Sequence, residues 1–143
     1  SQGTRCRQLA TYVIFDSPLN MLCDNPSNYK REPECTAFIA RIPTVWDETL
    51  GLDGKVGEYI TMARRSGDEW YVGGLTNWDK RDITVDLSFL GEGFYEIELF
   101  KDGINADRAA CDYKRVVMPV PEDRQLKVTL FPGGGFAGRI ERR

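Results

Sequence analysis

No histidine occurs among the 143 residues of this sequence. Histidine is the usual base that activates a serine or cysteine nucleophile, so its absence argues against a catalytic triad within the chain. The four cysteines, Cys6, Cys23, Cys35 and Cys111, show no CxxC spacing, and a zinc site is therefore not expected. Buried free thiols are the favoured interpretation, and a disulfide between two of the first three stays open.

The sequence also lacks a basic excess and a long hydrophobic run. The net charge is −3 with both signs interspersed, which argues against a nucleic-acid partner. No run approaches the roughly 18 apolar residues of a membrane span, and no signal peptide is visible. The chain begins at Ser1, where a cleaved signal would leave no trace. A hydrophobic content of 41% allows one core of ordinary size.

Helical spacing dominates the first part of the chain. Cys6, Leu9, Ala10 and Val13 share one face of a helix predicted from Thr4, its expected N-cap, to about residue 16. The other faces are apolar as well, so this helix needs cover on most sides. We expect the chain to supply too little of that cover.

A short apolar run and a second helix complete this segment. Leu19 to Cys23 predicts a buried strand, and a polar loop beginning with Asp24 and Asn25 follows it. Pro33 suits the first position of a helix that ends before Pro43. Helix, strand, loop and helix is typical of an α/β barrel or doubly wound sheet. Because a single strand has no sheet partners here, we expect the chain to be a fragment of a larger protein.

From about residue 44 the apolar period changes to two. The turn Ser66-Gly67-Asp68 predicts a β-hairpin, and we interpret Val56, Ile60 and Met62 as one face of the first long strand. The alternating sets of the later strands are Ile83/Val85/Leu87, Tyr95/Ile97/Leu99 and Leu126/Val128/Leu130, with a last strand from Phe136 to Ile140. About seven or eight antiparallel strands at this spacing predict a two-sheet β-sandwich, so the chain is mainly β with an α/β segment in front.

Acidic residues are the candidates for glycosidic chemistry, which uses a pair of carboxylates. The candidates are Asp24, Asp47, Glu48, Asp102 and Asp107. Most lie in turns, where carboxylates cap backbone groups, and capping is the favoured interpretation for each. Asp24 and Asn25 are possible substrate-proximal residues because they follow the predicted barrel strand, at the end where barrel enzymes carry their active-site loops.

The tryptophans have different expected roles. Trp78 lies in a polar turn and could stack on a sugar ring, although isolated exposed aromatics are common. Trp70 is expected in the core, and Trp46 is expected to pack the two parts of the chain together. Gly133-Gly134-Gly135 lacks the lysine and the strand-to-helix context of a phosphate loop, and we expect a close backbone approach there.

Long strings of the sequence carry a family resemblance in order along almost the whole chain. They are GTRCRQLATYVIFDSPLNMLCDNPSNY, FIARIPTVWDET, EYITMARRSGDEWYVGGLTNWDKRDITVDLSFL and FPGGGFAGRI. Together they resemble the C-terminal end of family 97 glycoside hydrolases, which are bacterial α-glucosidases and α-galactosidases. The resemblance implies that residues 1–43 are the last helix, strand and helix of a (β/α)8 catalytic barrel, and that residues 44–143 are a C-terminal β-sandwich.

The resemblance implies that the catalytic and calcium-binding residues lie outside this chain. No position of this chain matches the family's catalytic carboxylates or calcium ligands, so the fragment alone is expected to be inactive, without a cofactor or metal site. The parent would be a periplasmic or secreted exo-α-glycosidase, calcium-dependent, retaining or inverting, acting on oligosaccharides; we favour an α-glucosidase.

Three interpretations of the sandwich remain open. It is a structural cap on the barrel, an ancillary carbohydrate-binding module, or a free-standing adhesin-like domain. The first is favoured because the polar strand faces carry no row of aromatic residues, and the orphan N-terminal segment argues against the third. The apolar first helix would be exposed without its barrel neighbours, so we expect it to fold back on the sandwich, to swap between chains or to form a homodimer.

Overall fold

The structure is a computed structural model, and it describes residues 4–15, 33–55, 57–103 and 112–143. Within these ranges the chain forms two helices, eight strands and one short 3₁₀ turn. The helices are α1 (Arg5–Ile14) and α2 (Pro33–Arg41). The strands are β1 (Glu48–Lys55), β2 (Tyr59–Ser66), β3 (Glu69–Thr76), β4 (Arg81–Asp86), β5 (Tyr95–Asp102), β6 (Tyr113–Pro119), β7 (Gln125–Leu130) and β8 (Gly135–Arg142), with the 3₁₀ turn at Ser88–Leu90.

The strands form two antiparallel sheets. The large sheet has the order β1-β2-β3-β8-β5-β6, and the small sheet pairs β4 with β7. The predicted hairpin is confirmed as β2 and β3, with Gly67 at φ +61° in the turn between them. The predicted mainly β, two-sheet sandwich is therefore confirmed.

The main core lies between the two sheets. The alternating residues of the small sheet and of β5 and β8 point into it, as the period of two predicts. Its buried members are Ala63, Val72, Val85, Leu87, Leu90, Ile97, Leu99, Val120, Leu126, Val128, Leu130, Phe136 and Ile140.

A second core lies on the opposite face of the large sheet. Tyr71, Phe100 and Ala137 are the immediate strand neighbours of residues in the main core, so their side chains point to the other face. There they meet α1 and α2 through Cys6, Leu9, Val13, Cys35 and Phe38. The large sheet is thus the middle of three layers, with the helices on one side and the small sheet on the other.

The first helix is buried rather than exposed. Thr4 caps α1 as expected, with its hydroxyl accepting a hydrogen bond from the Arg7 backbone N–H at 3.1 Å. The buried residues of α1 are Cys6, Leu9, Ala10, Tyr12, Val13 and Ile14. At Gly73 an added Cβ would lie 3.3 Å from Val13, so the missing side chain lets helix and sheet approach closely. The expectation that this chain leaves the N-terminal helix exposed is therefore wrong. Of the three outcomes expected for that helix, folding back on the sandwich is the one that the structure shows.

Two further differences concern the start of the sandwich. Of the residues interpreted as one face of the first long strand, Ile60 and Met62 lie in β2 as predicted, but that strand begins only at Tyr59, because Gly57 and Glu58 form a turn after β1. The sequence of β1, with two glycines and a bulge between Gly51 and Asp53, gives little strand signal. Pro33 begins α2 as predicted. The predicted strand Leu19 to Cys23 and Val56 lie outside the described residues.

Candidate functional site

Trp78 follows β3 and is the most exposed of the tryptophans, with 67% of its surface accessible. One part of its indole ring rests on Gly133, where an added Cβ would lie 2.5 Å from Cζ3 of the ring. Beside the indole is a cavity of about 270 Å³, lined by Arg7, Thr76, Asn77, Trp78 and Gly133. The backbone therefore supports the ring, while most of its surface remains accessible.

Backbone hydrogen bonds hold the Trp78 turn in place. The Asn77 N–H donates to the Glu58 carbonyl at 2.8 Å, and the Gly133 N–H donates to the Asn77 carbonyl at 2.8 Å. The Asn77 side-chain amide donates to the Gly57 carbonyl at 3.2 Å, and its oxygen accepts from the Asp79 N–H at 3.1 Å. The turn is thus tied to the β1–β2 connection on one side and to the β7–β8 connection on the other.

A larger cavity of about 460 Å³ adjoins this site and shares the wall made by Arg7, Thr76 and Asn77. Tyr59, Ile60 and Leu75 line its other parts, and Ile60 is 40% exposed. The Arg7 guanidinium donates one hydrogen bond to the Thr76 carbonyl at 2.5 Å. Because a guanidinium carries five N–H donors, Arg7 can offer others to a molecule in either cavity.

Asp102, at the end of β5, is 6% exposed and organises the turn that carries Gly133. Its Oδ2 accepts hydrogen bonds from the Phe131 N–H at 3.2 Å and the Gly135 N–H at 3.3 Å. Burial raises the pKa of Asp102 above its ordinary value, although these hydrogen bonds oppose the rise. Asp102 therefore ties the end of β5 to the β7–β8 turn.

The other acidic candidates also hold structure where they are described. Asp47 accepts a hydrogen bond from the Gly67 N–H at 2.8 Å, and Glu48 pairs with Arg65 at 3.3 Å. Asp47 lies at the β2–β3 turn and Asp102 beside Gly135, so the length of β3, about 20–25 Å, separates them. They do not form a catalytic pair. Asp24, Asn25 and Asp107 lie outside the described residues.

The two remaining tryptophans have structural contacts. Trp70 is half-buried against the main core and packs on Phe89, with ring centroids 4.5 Å apart. Trp46 joins the second core, where it meets Tyr71 edge-on at 5.5 Å and lies under the Arg64 guanidinium. These positions agree with the expected packing roles of both residues.

A charged network on the helix-covered face of the large sheet was not predicted. Arg139 is 9% exposed and forms ion pairs with Glu69 at 3.1 Å, Glu141 at 2.8 Å and Glu98 at 3.6 Å. The Arg139 side chain lowers the pKa of Glu141. Arg41, at the end of α2, reaches Glu69 at 3.4 Å and extends the network to the helix. Alternation of charge along the strands was its only signal in the sequence.

Two of the four cysteines lie in the part of the chain that the structure describes. Cys6 and Cys35 are buried and in no disulfide, whereas Cys23 and Cys111 lie outside those ranges. In residues 4–15, 33–55, 57–103 and 112–143, no group of three or more acidic or cysteine side chains could hold a metal ion. In the same part of the chain, neither helix has the length and apolar character needed to cross a membrane.

Comparison with known proteins identifies the family. The family model described as "Glycosyl-hydrolase 97 C-terminal, oligomerisation" matches residues 45–141. This chain belongs to that family. The resemblance to family 97 glycoside hydrolases inferred from the sequence is thereby confirmed.

Two curated proteins are similar over most of this chain. The retaining alpha-galactosidase of Bacteroides thetaiotaomicron is 67% identical over 141 residues, which cover 99% of this chain and 21% of that protein. A probable retaining alpha-galactosidase of Streptomyces bingchenggensis is 32% identical over 130 residues, which cover 91% of this chain and 19% of that protein. The chain spans about a fifth of the length of these relatives.

Two solved structures share the fold. A glycoside hydrolase family 97 enzyme from Pseudoalteromonas sp. strain K8, in complex with panose, matches with a TM-score of 0.87 and 32% identity. That match covers 99% of this chain and 23% of the solved chain. A beta-arabinopyranosidase matches with a TM-score of 0.66 and 30% identity, over 80% of this chain and 18% of that chain.

Proposed function

We propose that this chain is the C-terminal part of a retaining exo-α-galactosidase of family 97. The observation that carries the proposal is the 67% identity, over nearly the whole chain, to the retaining alpha-galactosidase of Bacteroides thetaiotaomicron. The second curated relative carries a similar name at 32% identity. This proposal replaces the α-glucosidase favoured from the sequence, for which no residue of the chain gave a reason.

Within that enzyme, we propose that residues 1–43 end the catalytic barrel and that residues 44–143 form a structural cap on it. Two observations support the division. The family model begins at residue 45, next to the change of period in the sequence. In addition, α1 and α2 are seated on the large sheet through a shared apolar core, as a cap on barrel helices requires.

The described acidic candidates support a non-catalytic role for the chain itself. Asp47 and Asp102 accept hydrogen bonds from backbone N–H groups, and Glu48 pairs with Arg65. Because these side chains hold turns and strands rather than facing one another across a cleft, we propose that the 143-residue chain alone does not hydrolyse glycosides.

Cofactor, compartment and assembly complete the proposal. We propose that the parent binds calcium through residues outside this chain, and that it acts in the periplasm or outside the cell, as the family resemblance implied. The family description names oligomerisation. Because α1 is buried against the sheet, we propose that any contact between copies uses the sandwich surface instead.

The decisive experiment assays the full-length gene product with aryl α-galactoside and aryl α-glucoside. We expect kcat/KM for the galactoside to exceed that for the glucoside by at least about tenfold. Proton NMR of the first sugar released is expected to show retention of the α configuration. A preference for the glucoside, or release of the β anomer, would overturn the assignment. Hydrolysis by the isolated chain would contradict its proposed inactivity.

A further inference from the structure

Trp78, unlike the other two tryptophans, does not pack against either hydrophobic core. Trp46 and Trp70 pack against aromatic neighbours, whereas Trp78 leaves two-thirds of its surface accessible. Exposing an indole forgoes the favourable burial of a large apolar side chain. The contact with Gly133 keeps the ring against the backbone, beside the cavity.

The indole is also held before any ligand arrives. The turn on which it stands is bonded on both sides through Asn77, to the Glu58 carbonyl and to the Gly133 N–H. Binding to a group that is already ordered loses less conformational entropy than binding to a mobile one. The Trp78 turn therefore has the rigidity that a weak ligand such as a sugar needs.

Neighbouring groups indicate the chemistry of that ligand. The Arg7 guanidinium supplies N–H donors for hydroxyl groups. The carboxylates of Glu58 and Asp79 lie close by and both pair with Arg81, so charges of both signs surround the site. An aromatic ring with N–H donors beside it suits a pyranose ring, whose hydroxyl groups accept hydrogen bonds and whose C–H groups pack on the aromatic surface. The adjoining cavity of about 460 Å³ gives room for further sugar units.

The position of the site relative to α1 connects it with catalysis. The Thr4 N–H, at the start of α1, donates to the Gly133 carbonyl at 3.1 Å, and Arg7 lies in the first turn of the helix. In a (β/α)8 barrel the active-site loops lie at the N-terminal ends of the helices. If α1 is a barrel helix, which is part of the proposed function, Trp78 lies on the active-site side of the enzyme.

We infer that Trp78, with Arg7 beside it, forms an outer sugar-binding site. It stacks on a pyranose ring of an oligosaccharide substrate at a distance from the bond that is cleaved. The site thereby favours extended α-galactosyl oligosaccharides over small galactosides. The inference rests on the proposed function for its substrate, but not for the existence of a sugar site.

The kinetic test uses the full-length protein and two substrates, an aryl α-galactoside and an α-galactosyl oligosaccharide of four or five units. For Trp78→Ala we expect the ratio of kcat/KM, oligosaccharide over aryl substrate, to fall about three- to tenfold, the equivalent of one aromatic stacking contact. Trp78→Tyr, which keeps an aromatic ring, should restore part of the ratio. An unchanged ratio in Trp78→Ala would overturn the outer site.

The matched control is Phe94→Ala. Phe94 is another exposed aromatic residue, with 78% of its surface accessible. Its backbone carbonyl accepts a hydrogen bond from the Arg143 N–H, at the end of β8 opposite to Gly133. We expect this variant to keep the wild-type ratio. An equal fall in both variants would assign the effect to general loss of structure and reject the site.

A binding test separates this inference from the assigned activity. The full-length protein, labelled with 5-fluorotryptophan, is titrated with galactosyl and malto-oligosaccharides and followed by fluorine NMR, with Trp78→Phe identifying the Trp78 signal. A shift of that signal supports the site even if no galactoside is hydrolysed, in which case only the proposed activity fails. No shift with either series, in an active enzyme, overturns the site alone.

Discussion

Replacing Asp102 tests how the β7–β8 turn is held at the end of β5. In the wild type, one carboxylate oxygen accepts from the N–H groups of Phe131 and Gly135. Asp102→Ala removes this acceptor and leaves two N–H groups in the turn without a partner. Asp102→Asn keeps an oxygen that can accept both bonds but carries no charge.

The two variants differ in the expected loss of stability. Each buried donor left unpaired costs about 1–3 kcal/mol, so Asp102→Ala should lower the free energy of unfolding by about 2–6 kcal/mol. That is a large part of the 5–15 kcal/mol, roughly, that holds a typical domain together. Asp102→Asn should lower it far less, because the amide oxygen preserves the turn.

The pH dependence of the free energy of unfolding provides a second, independent test. Burial raises the pKa of Asp102 above its ordinary value of 3.8, so the folded chain binds this proton more tightly than the unfolded chain. The resulting stabilisation is present below the unfolded-state pKa and is lost as the pH rises through the folded-state pKa. The free energy of unfolding of Asp102→Asn relative to wild type should therefore increase as the pH is raised from the acid side towards neutrality.

Urea unfolding followed by tryptophan fluorescence, at several pH values from 4 to 7, measures both effects. The reasoning would be refuted if Asp102→Asn were as unstable as Asp102→Ala at neutral pH. It would also be refuted if the difference between wild type and Asp102→Asn did not change with pH.

Three further predictions use the same unfolding assay or a simple label. Gly133→Ala places an alanine at φ +66° and its Cβ 2.5 Å from the Trp78 ring. We therefore expect the free energy of unfolding to fall by about 1–2 kcal/mol and the fluorine signal of labelled Trp78 to change. An unchanged signal would contradict the described contact. Arg139→Met removes the cation that Glu69, Glu98 and Glu141 share, although Glu69 keeps Arg41 and Glu98 keeps Arg115. It should lower the free energy of unfolding by about 1–3 kcal/mol, because the glutamates are partly solvated. Arg139→Lys should recover only part of this loss, since lysine lacks the planar fork. Cys6 and Cys35 should react with a thiol reagent slowly in the folded chain and quickly in urea, as peptide mapping would show; rapid native labelling would contradict their burial.

The sandwich was predictable because one face of most strands is polar. Val85, Leu87, Ile97 and Leu99 alternate with polar residues, and all four lie in the main core. β1 was missed because an edge strand with mostly exposed residues needs no apolar face, and its glycines resemble a loop.

The covering of α1 could not be predicted from periodicity. The apolar pattern of α1 shows that the helix must be buried, but it does not show against which residues. The residues that bury it, Tyr71, Phe100 and Ala137, are distant in the sequence. The signal was present in the runs Trp70-Tyr71-Val72 and Phe136-Ala137, where consecutive apolar residues indicate a strand buried on both faces.

The candidate site shows the same division. Sequence alone singled out Trp78 as an aromatic residue in a polar turn. Its partners Arg7 and Gly133 are distant in the sequence, and only the pairing of strands and the docking of α1 bring the three to one cavity. The Arg139 network depends on strand register in the same way.

The buried middle layer has a consequence for building chimeric enzymes. A cut at residue 44 follows the family model, but it would separate Phe38 from Phe100, whose rings pack together in the second core. A sandwich grafted from another enzyme at that point would present an unmatched surface to the recipient's helices. Donor segments should therefore begin before Thr4, so that both helices travel with the sheet against which they have been fitted.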